Sequence, residues 1–246
     1  MNERQKRVYE VIERVGSATV EQLVNEVFAS PATIRRDIKK LEEDGLIARI
    51  WGGAMLANKA GMDKPHFLRS TIAVSAKKAI ARKALTLIKE GDVIFLPMGS
   101  SVVELCKVLD VFNDLTIVTT NIEAVNILRD NSSFKIFIPA GQLHEREDLV
   151  GPLTKSTIEK FYADIFFFSC TGITADSFYA TDLARLEVFE SMAEHSAKTV
   201  LLMDTSKVGK KGACVGFGLD KIDHVIMEEK PADKDLVKAL GNKLIY

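Results

Sequence analysis

Ser30-Pro31-Ala32-Thr33-Ile34-Arg35-Arg36-Asp37-Ile38-Lys39-Lys40-Leu41 carries a start signal and two distinct faces. Ser30 reads as a helix N-cap, and Pro31 as the first helical residue, where a fixed φ helps and the missing N–H is not needed. Ile34, Ile38 and Leu41 recur at helical spacing and form an apolar face. Ala32, Thr33, Arg35, Arg36, Lys39 and Lys40 lie on or beside the opposite face. Small side chains at its start allow close approach to base edges, and the later cations reach guanine or phosphate. That is the layout of a helix that enters a DNA major groove. A solvated charged helix shares the pattern, so the flanks decide.

Upstream, Arg4 to Val15 forms an amphipathic helix with Val8, Val11, Ile12 and Val15 on one side, ending at Gly16. Thr19 caps a second helix and Gln22 completes a capping box, with Leu23, Val24 and Val27 as the apolar face. A turn through Phe28 and Ala29 leads into the Ser30 helix. The later two helices, about 20–39, form a helix-turn-helix unit. After Gly45, Leu46-Ile47-Ala48-Arg49-Ile50-Trp51-Gly52-Gly53-Ala54 is apolar, β-branched and broken by a double glycine, the pattern of a two-stranded wing. Arg49 on that wing is placed for the sugar-phosphate backbone or the minor groove.

Thr33-Ile34-Arg35-Arg36-Asp37, then Leu41-Glu42-Glu43-Asp44-Gly45-Leu46, then Arg49-Ile50-Trp51-Gly52-Gly53-Ala54 resemble in order and spacing the signature of the DeoR family of bacterial transcriptional regulators. The resemblance makes the Ser30 helix a recognition helix. The residues expected at DNA are Thr19, Ser30, Thr33, Arg35, Arg36, Lys39 and Arg49. Asp37 is expected to orient Arg36 or a neighbouring helix. Trp51 stands where the family usually has a histidine.

A chain of 246 residues, 47% hydrophobic, holds a small domain and a medium one with a core each. A net charge of -1 excludes nucleic-acid binding by bulk charge, so the DNA footprint is local. Arg4, Lys6, Arg7, Arg35, Arg36, Lys39, Lys40 and Arg49 supply it. Cys106, Cys170 and Cys214 are widely spaced with no Cys-x-x-Cys pair, which favours free thiols in a reducing cytoplasm and no structural metal. The charged N-terminus is expected to carry no secretion signal. The longest strongly apolar stretch, around Ile165 to Phe168, is too short to span a bilayer. It reads as a buried strand with Phe166 and Phe168 on one side and Phe167 on the other.

The expected organisation is a winged helix-turn-helix domain over 3–57, a linker over 58–74 and a second domain over 75–246. A helix from about Ser75 to Lys89 opens that domain, and in the family a patch holding Phe67 and Arg69 docks onto it. Beyond it the chain alternates. Apolar strands near 93–96, 116–118, 134–138, 163–169, 199–203 and 224–227 are separated by helices, which predicts a mostly parallel sheet covered on both faces, an α/β fold.

Polar residues collect just after the strands, at the carboxyl edge where open α/β sheets bind ligands. Gly99-Ser100-Ser101 entering a helix offers N–H groups, hydroxyls and a positive helix end to an anion. Thr119-Thr120-Asn121 repeats the arrangement, and Lys207 adds a formal charge. Any one of these loops has an ordinary turn or N-cap as its alternative. Several on one rim favour an anionic small-molecule site.

The second domain resembles the DeoR sensor domain, similar in fold to ribose-5-phosphate isomerase, through Gly99-Ser100-Ser101, Thr120-Asn121, Gly141, Gly172-Ile173 and Asp204-Thr205-Ser206-Lys207. The resemblance implies a phosphorylated sugar or related anionic metabolite held by Gly99, Ser100, Ser101, Thr120, Asn121, Gly141, Gly172 and Lys207. Pro97 replaces a frequent aspartate, Ala140 one glycine of a pair, and Phe189 a lysine.

An isomerase of related fold needs a carboxylate base beside the sugar and a lysine. Cys170-Thr171-Gly172-Ile173-Thr174 lacks the acidic cluster, so the enzyme with an accessory DNA module ranks second. His144, Glu145, Glu147 and Asp148 read as a solvated loop or subunit contact, and Asp182 as a loop carboxylate. The expectation is a cytoplasmic regulator, most simply a repressor, without cofactor, metal or membrane. It binds double-stranded operator DNA as a homodimer or homotetramer, because paired half-sites multiply the base contacts of one small domain.

Overall fold

A computed structural model describes residues 1–44, 46–56, 69, 72–145 and 147–246. It divides into two compact units, Met1–Leu68 and Arg69–Tyr246. Most of the expected linker over 58–74, Phe67 included, lies outside the described residues, as does Gly45.

In the first unit, α1 (Glu3–Val15) ends at Gly16, whose φ of 78° suits a residue without a Cβ. A short strand β1 (Ser17–Thr19) precedes α2 (Val20–Val27) and α3 (Pro31–Glu43). Thr19 and Gln22 form the expected capping box, each side chain bonding the other's backbone N–H. Such caps each contribute about 1 kcal/mol. Val8, Ile12, Leu23, Ile34, Ile38 and Leu41 close one core between the three helices.

Strands β2 (Ile47–Ile50) and β3 (Gly53–Leu56) make the wing. Strand β3 also pairs antiparallel with β1, giving the order β1-β3-β2. The Val20 N–H donates to the Gly52 carbonyl at 2.7 Å, tying the wing turn to the start of α2.

The second unit is built on a seven-stranded sheet of order β15-β14-β12-β9-β4-β5-β6 in which every neighbour is parallel. Its strands are β4 (Val93–Leu96), β5 (Leu115–Thr119), β6 (Phe134–Phe137), β9 (Ile165–Phe168), β12 (Thr199–Leu202), β14 (His224–Ile226) and β15 (Leu244–Ile245). Helices α4 (Val74–Ala84), α5 (Ser100–Cys106) and α6 (Ile122–Leu128) cover one face through Ile80, Leu105 and Leu128, against Ile94, Leu96 and Phe167. Helices α7 (Pro152–Ile158), α8 (Leu183–Glu194) and α9 (Lys234–Leu240) cover the other through Ile158, Phe189 and Leu236, against Phe95, Phe166 and Phe168. Phe166 and Phe168 therefore face opposite to Phe167, as strand alternation requires.

Three features depart from the expectation. The first helix of this unit stops at Ala84 and tightens into a 3-10 turn at Leu85–Leu87 rather than running to Lys89. A small antiparallel sheet of β10 (Gly172–Ile173), β11 (Ser177–Ala180) and β13 (Cys214–Gly218) lies against the α8 side, with Phe178 and Phe217 packed on Phe168. The polar run around His144 is not a solvated loop. It forms the hairpin β7 (Gln142–His144) and β8 (Asp148–Val150), and Asp148 is 2% exposed.

Among the described residues no helix is long and apolar enough to cross a membrane. Cys106 and Cys170 are buried, and burial pushes their thiols up to about 12 and about 11, which keeps them protonated near neutral pH.

Candidate nucleic-acid interface and effector site

Helix α3 buries Ile34, Asp37, Ile38 and Leu41 and exposes Arg35, Arg36 and Lys39. Among the described residues no hydrogen bond or ion pair engages those three cationic side chains, so their charge is available to a partner. Lys40 is committed elsewhere, to Asp44 at 3.1 Å. Ser30 accepts the Thr33 N–H at 3.2 Å, and the two hydroxyls lie 2.8 Å apart. Thr33 would have to share that bond to read a base. Thr19 is occupied in its capping box.

Arg4 leaves the expected footprint. Its guanidinium grips the buried Asp37 carboxylate, with Nε at 2.5 Å and Nη2 at 3.2 Å, and Gln5 reaches the same group at 3.4 Å. Asp37 thus locks α3 to α1 rather than orienting Arg36. On the wing, the Arg49 backbone N–H donates to Glu42 at 3.1 Å, while its side chain is exposed with Nε 3.9 Å from the same carboxylate.

In the second unit β12, β9, β4 and β5 are consecutive in the sheet, so the loops after them share one rim. Lys207 donates from Nζ to Ser169 Oγ at 2.9 Å, which joins the β12 and β9 loops. Gly99, with φ at +155°, approaches Ser169 so closely that a Cβ would stand 3.1 Å from the serine Cβ. Asn121 caps α6 by accepting from the Glu123 and Ala124 N–H groups, and its amide points toward the Pro97 carbonyl at 3.5 Å. Ser100 is buried beside them. Ser101 Oγ and Thr120 Oγ1 are buried without a hydrogen-bond partner among the described residues. Buried hydroxyls left unpaired are costly, and rim hydroxyls of this kind suit a ligand that completes their bonding.

Two of the expected rim glycines also follow sheet strands, Gly141 in the loop after β6 and Gly172 at the start of β10 after β9, and each is closely packed. A Cβ on Gly141 would meet Thr154 Oγ1 at 2.0 Å, and one on Gly172 would meet the Lys210 carbonyl oxygen at 2.1 Å. Both glycines permit close packing of the chain on itself.

Sequence reasoning missed Lys77, Ser169 and the Arg185 cluster. Lys77 is 2% exposed, donates to the Arg69 and Ile72 carbonyls, and senses the charges of Lys207, Asp204 and Glu104. Burial, then the charge of Lys207, lowers its ammonium to about 8. A lysine on the same helical face as Ile80, Ala81 and Ala84 was the available signal.

Arg185 is 1% exposed and faces Asp148 at 3.0 Å, Asp182 at 3.3 Å, Glu145 at 2.8 Å and Glu147 at 3.5 Å. Burial opposes its charge, but the hydrogen bonds it donates to Asp148 and the negative charges of Asp148, Glu145 and Asp182 outweigh that and raise its pKa, so it stays cationic. It fixes the β7–β8 hairpin, which in turn pairs with the rim through the Asn121 and Asp148 bridge and the Leu149 N–H to the Thr120 carbonyl. Arg69 holds the same hairpin through Glu147 at 2.7 Å and reaches Met98 Sδ at 3.2 Å. Asp182, expected as a plain loop carboxylate, both caps α8 and binds Arg185. Among the described residues no cluster of three His, Cys, Asp or Glu side chains could hold a metal.

A helix-turn-helix unit with an unpaired cationic helix face, followed in one chain by a parallel α/β unit with a cationic rim, defines a DNA-binding transcriptional regulator with a sensor domain. The family described as "DeoR-like helix-turn-helix domain" matches residues 4–60, and "DeoR C terminal sensor domain" matches 72–229. The glycerol-3-phosphate regulon repressor of Escherichia coli (strain K12) is 30% identical over 232 residues, covering 93% of this chain and 91% of that one. Of solved structures, eIF2B delta from Chaetomium thermophilum shares the fold, with a TM-score of 0.50 and 19% identity over 67% of this chain and 59% of that one. A ribose-5-phosphate isomerase in complex with phospho-erythronic acid gives a TM-score of 0.40 and 18% identity over 54% of this chain and 52% of that one. The chain belongs to the DeoR family of transcriptional regulators. It is a DNA-binding transcriptional regulator of that family with a C-terminal sensor domain.

Proposed function

We propose that this protein represses an operon for the use of a sugar or other small polyol. An anionic, phosphorylated form of that compound binds the rim and releases the operator. The observation that carries the effector reading is Lys207 held on Ser169 beside Gly99, with the Ser101 and Thr120 hydroxyls, which have no partner among the described residues, following the neighbouring strands β4 and β5. Helix α5 has only seven residues, so the side chains rather than its end carry the argument. The name of the Escherichia coli relative, a glycerol-3-phosphate regulon repressor, supports a small phosphorylated polyol as the class to try first.

The protein acts in the cytoplasm as a homodimer or homotetramer, whose paired α3 helices meet half-sites about 34 Å apart. The effector favours a subunit arrangement that spaces those helices badly, and a coupling of about 1–3 kcal/mol suffices for a fivefold to 150-fold loss of operator affinity.

Thermal unfolding against phosphorylated and unphosphorylated sugars and polyols tests the effector reading. A compound at a hundred times its Kd stabilises the native state by about 2.7 kcal/mol. Only the phosphorylated partner of a pair is expected to do so, and Lys207→Ala is expected to remove the shift while leaving DNA binding in place. A panel without any shift would leave the second unit as an oligomerisation module.

Arg36→Ala is expected to weaken operator binding by about 1–3 kcal/mol, with relaxed specificity at one base if it reads guanine. An even loss across sequences would reassign it to phosphate, and unchanged binding would remove it from the interface.

Lys77 adds a pH signature. Its folded pKa lies below its ordinary value, so the unfolded chain binds more protons between about pH 8 and 10.5 and stability rises with pH through that window. An anion at the rim favours the protonated ammonium. Effector binding near pH 8.5 should therefore take up protons and weaken as pH rises, because the phosphate, with a second pKa of about 6, is already fully charged. Calorimetry in buffers of different ionisation heat measures the uptake, and Lys77→Met should abolish it.

A further inference from the structure

Trp51 is the chain's one tryptophan and, at 91%, the most exposed large apolar side chain among the described residues. An indole carries roughly 150–250 Å² of surface that folding normally hides. Its exposure is not looseness of the turn. Ile50 pairs with Gly53 across the wing, and the Gly52 carbonyl accepts the Val20 N–H at 2.7 Å. Gly53 lies directly on the Ala18 carbonyl, where a Cβ would stand only 2.1 Å away. The wing tip is thus pinned to β1 and to the first residue of α2, with the ring held out in water.

The surroundings favour one partner. The wing strand β2 is bonded to α3 through Glu42, so the tip stands beside the recognition helix and at the start of α2. Arg49, two residues away, is exposed and cationic. Within the turn the following residue is glycine, and Val20 beside it is only partly exposed, so the turn itself adds no second exposed apolar side chain to the ring. A lone flat ring next to a cation fits the deoxyribose wall of a groove flanked by phosphates.

We propose that Trp51 lays its indole against the minor-groove sugars next to the major groove entered by α3, a contact that holds the wing in place without using charge. The proposal rests on the reading of the first unit as the DNA-binding unit.

Being the sole tryptophan, Trp51 reports on itself in the full-length protein. Anisotropy of a labelled duplex of mixed sequence, at low salt, measures binding. Emission and acrylamide quenching of Trp51 with the unlabelled duplex measure contact. Emission should change with the same midpoint as the anisotropy, and quenching should fall at least about twofold as the ring is covered. Trp51→Ala should weaken binding about fivefold to tenfold, Trp51→Phe should recover most of that, and the slope of affinity against salt should stay unchanged because no phosphate contact is lost. Quenching undiminished at saturating duplex, or a reduced salt slope in Trp51→Ala, would overturn the proposal. No anisotropy change with the unaltered protein would overturn the DNA reading itself, and the Trp51 contact with it.

Discussion

Arg185→Ala is expected to destabilise the second unit by about 3–5 kcal/mol, read as a lower midpoint in denaturant-induced unfolding. The guanidinium bridges α8 to the β7–β8 hairpin, and Asp148 is buried with it. Removing the cation leaves that carboxylate dehydrated and uncompensated, which costs more than the pair itself contributes. Lysine is no substitute, because a point charge cannot replace a planar fork shared among four carboxylates. Pairing Arg185→Ala with Asp148→Asn should recover part of the loss, and strict additivity of the two changes would contradict this account. The hairpin bonds the Thr120–Asn121 backbone, so the single variant should also blunt any effector response that survives.

Gly53→Ala is expected to be nearly as severe for the first unit, about 3 kcal/mol, although it adds one methyl group. The new Cβ meets the Ala18 carbonyl oxygen at 2.1 Å and the Thr19 Cα at 2.8 Å, and neither backbone atom can turn aside as a side chain could. Relief requires separating β3 from β1, which breaks the register Thr19 with Gly53 and Ala18 with Ala54. The wing then loses its fixed position beside α2. Loss of helical circular dichroism on heating follows the melting of this unit, and DNA binding should fall with it. A variant that melts with the unaltered protein would show that the wing tolerates displacement.

The helices of the first unit were legible because each carries its own start signal and a clean apolar stripe. Thr19 and Ser30 cap as their residue types led one to expect, whereas the Asn2 cap of α1 emerged only in the structure. Strand β1 was not legible: three residues have no period of their own, and their partner β3 lies beyond two intervening helices. Six of the seven parallel strands of the second unit were readable as apolar runs bounded by polar loops, down to the opposed faces of Phe166 and Phe167, while the two-residue β15 after the last helix was not. The sheet of β10, β11 and β13 was hidden, since Gly172 and Gly216 are there for close packing and a glycine leaves no alternation to see.

The candidate site divides the same way. Lys207 and the Gly99 loop announce themselves by composition, whereas Ser169, Lys77 and Arg185 gain their roles from partners far along the chain. Phe189 is informative in the other direction. Where the resemblance leads one to expect a lysine, Phe189 is a ring buried against Phe166 and Phe168, so this position contributes to the core.

On the proposed reading the rim draws its ligand-facing groups from separate loops, while the strands that carry those loops supply mainly core residues. Divergence of such a regulator can then proceed loop by loop. On the proposed effector reading, one substitution at Pro97, Ser169 or Lys207 would alter what is recognised and leave the sheet in place. Lineages could thus acquire new inducers at little cost in stability, keeping the operator-reading unit and changing only the compound to which it answers.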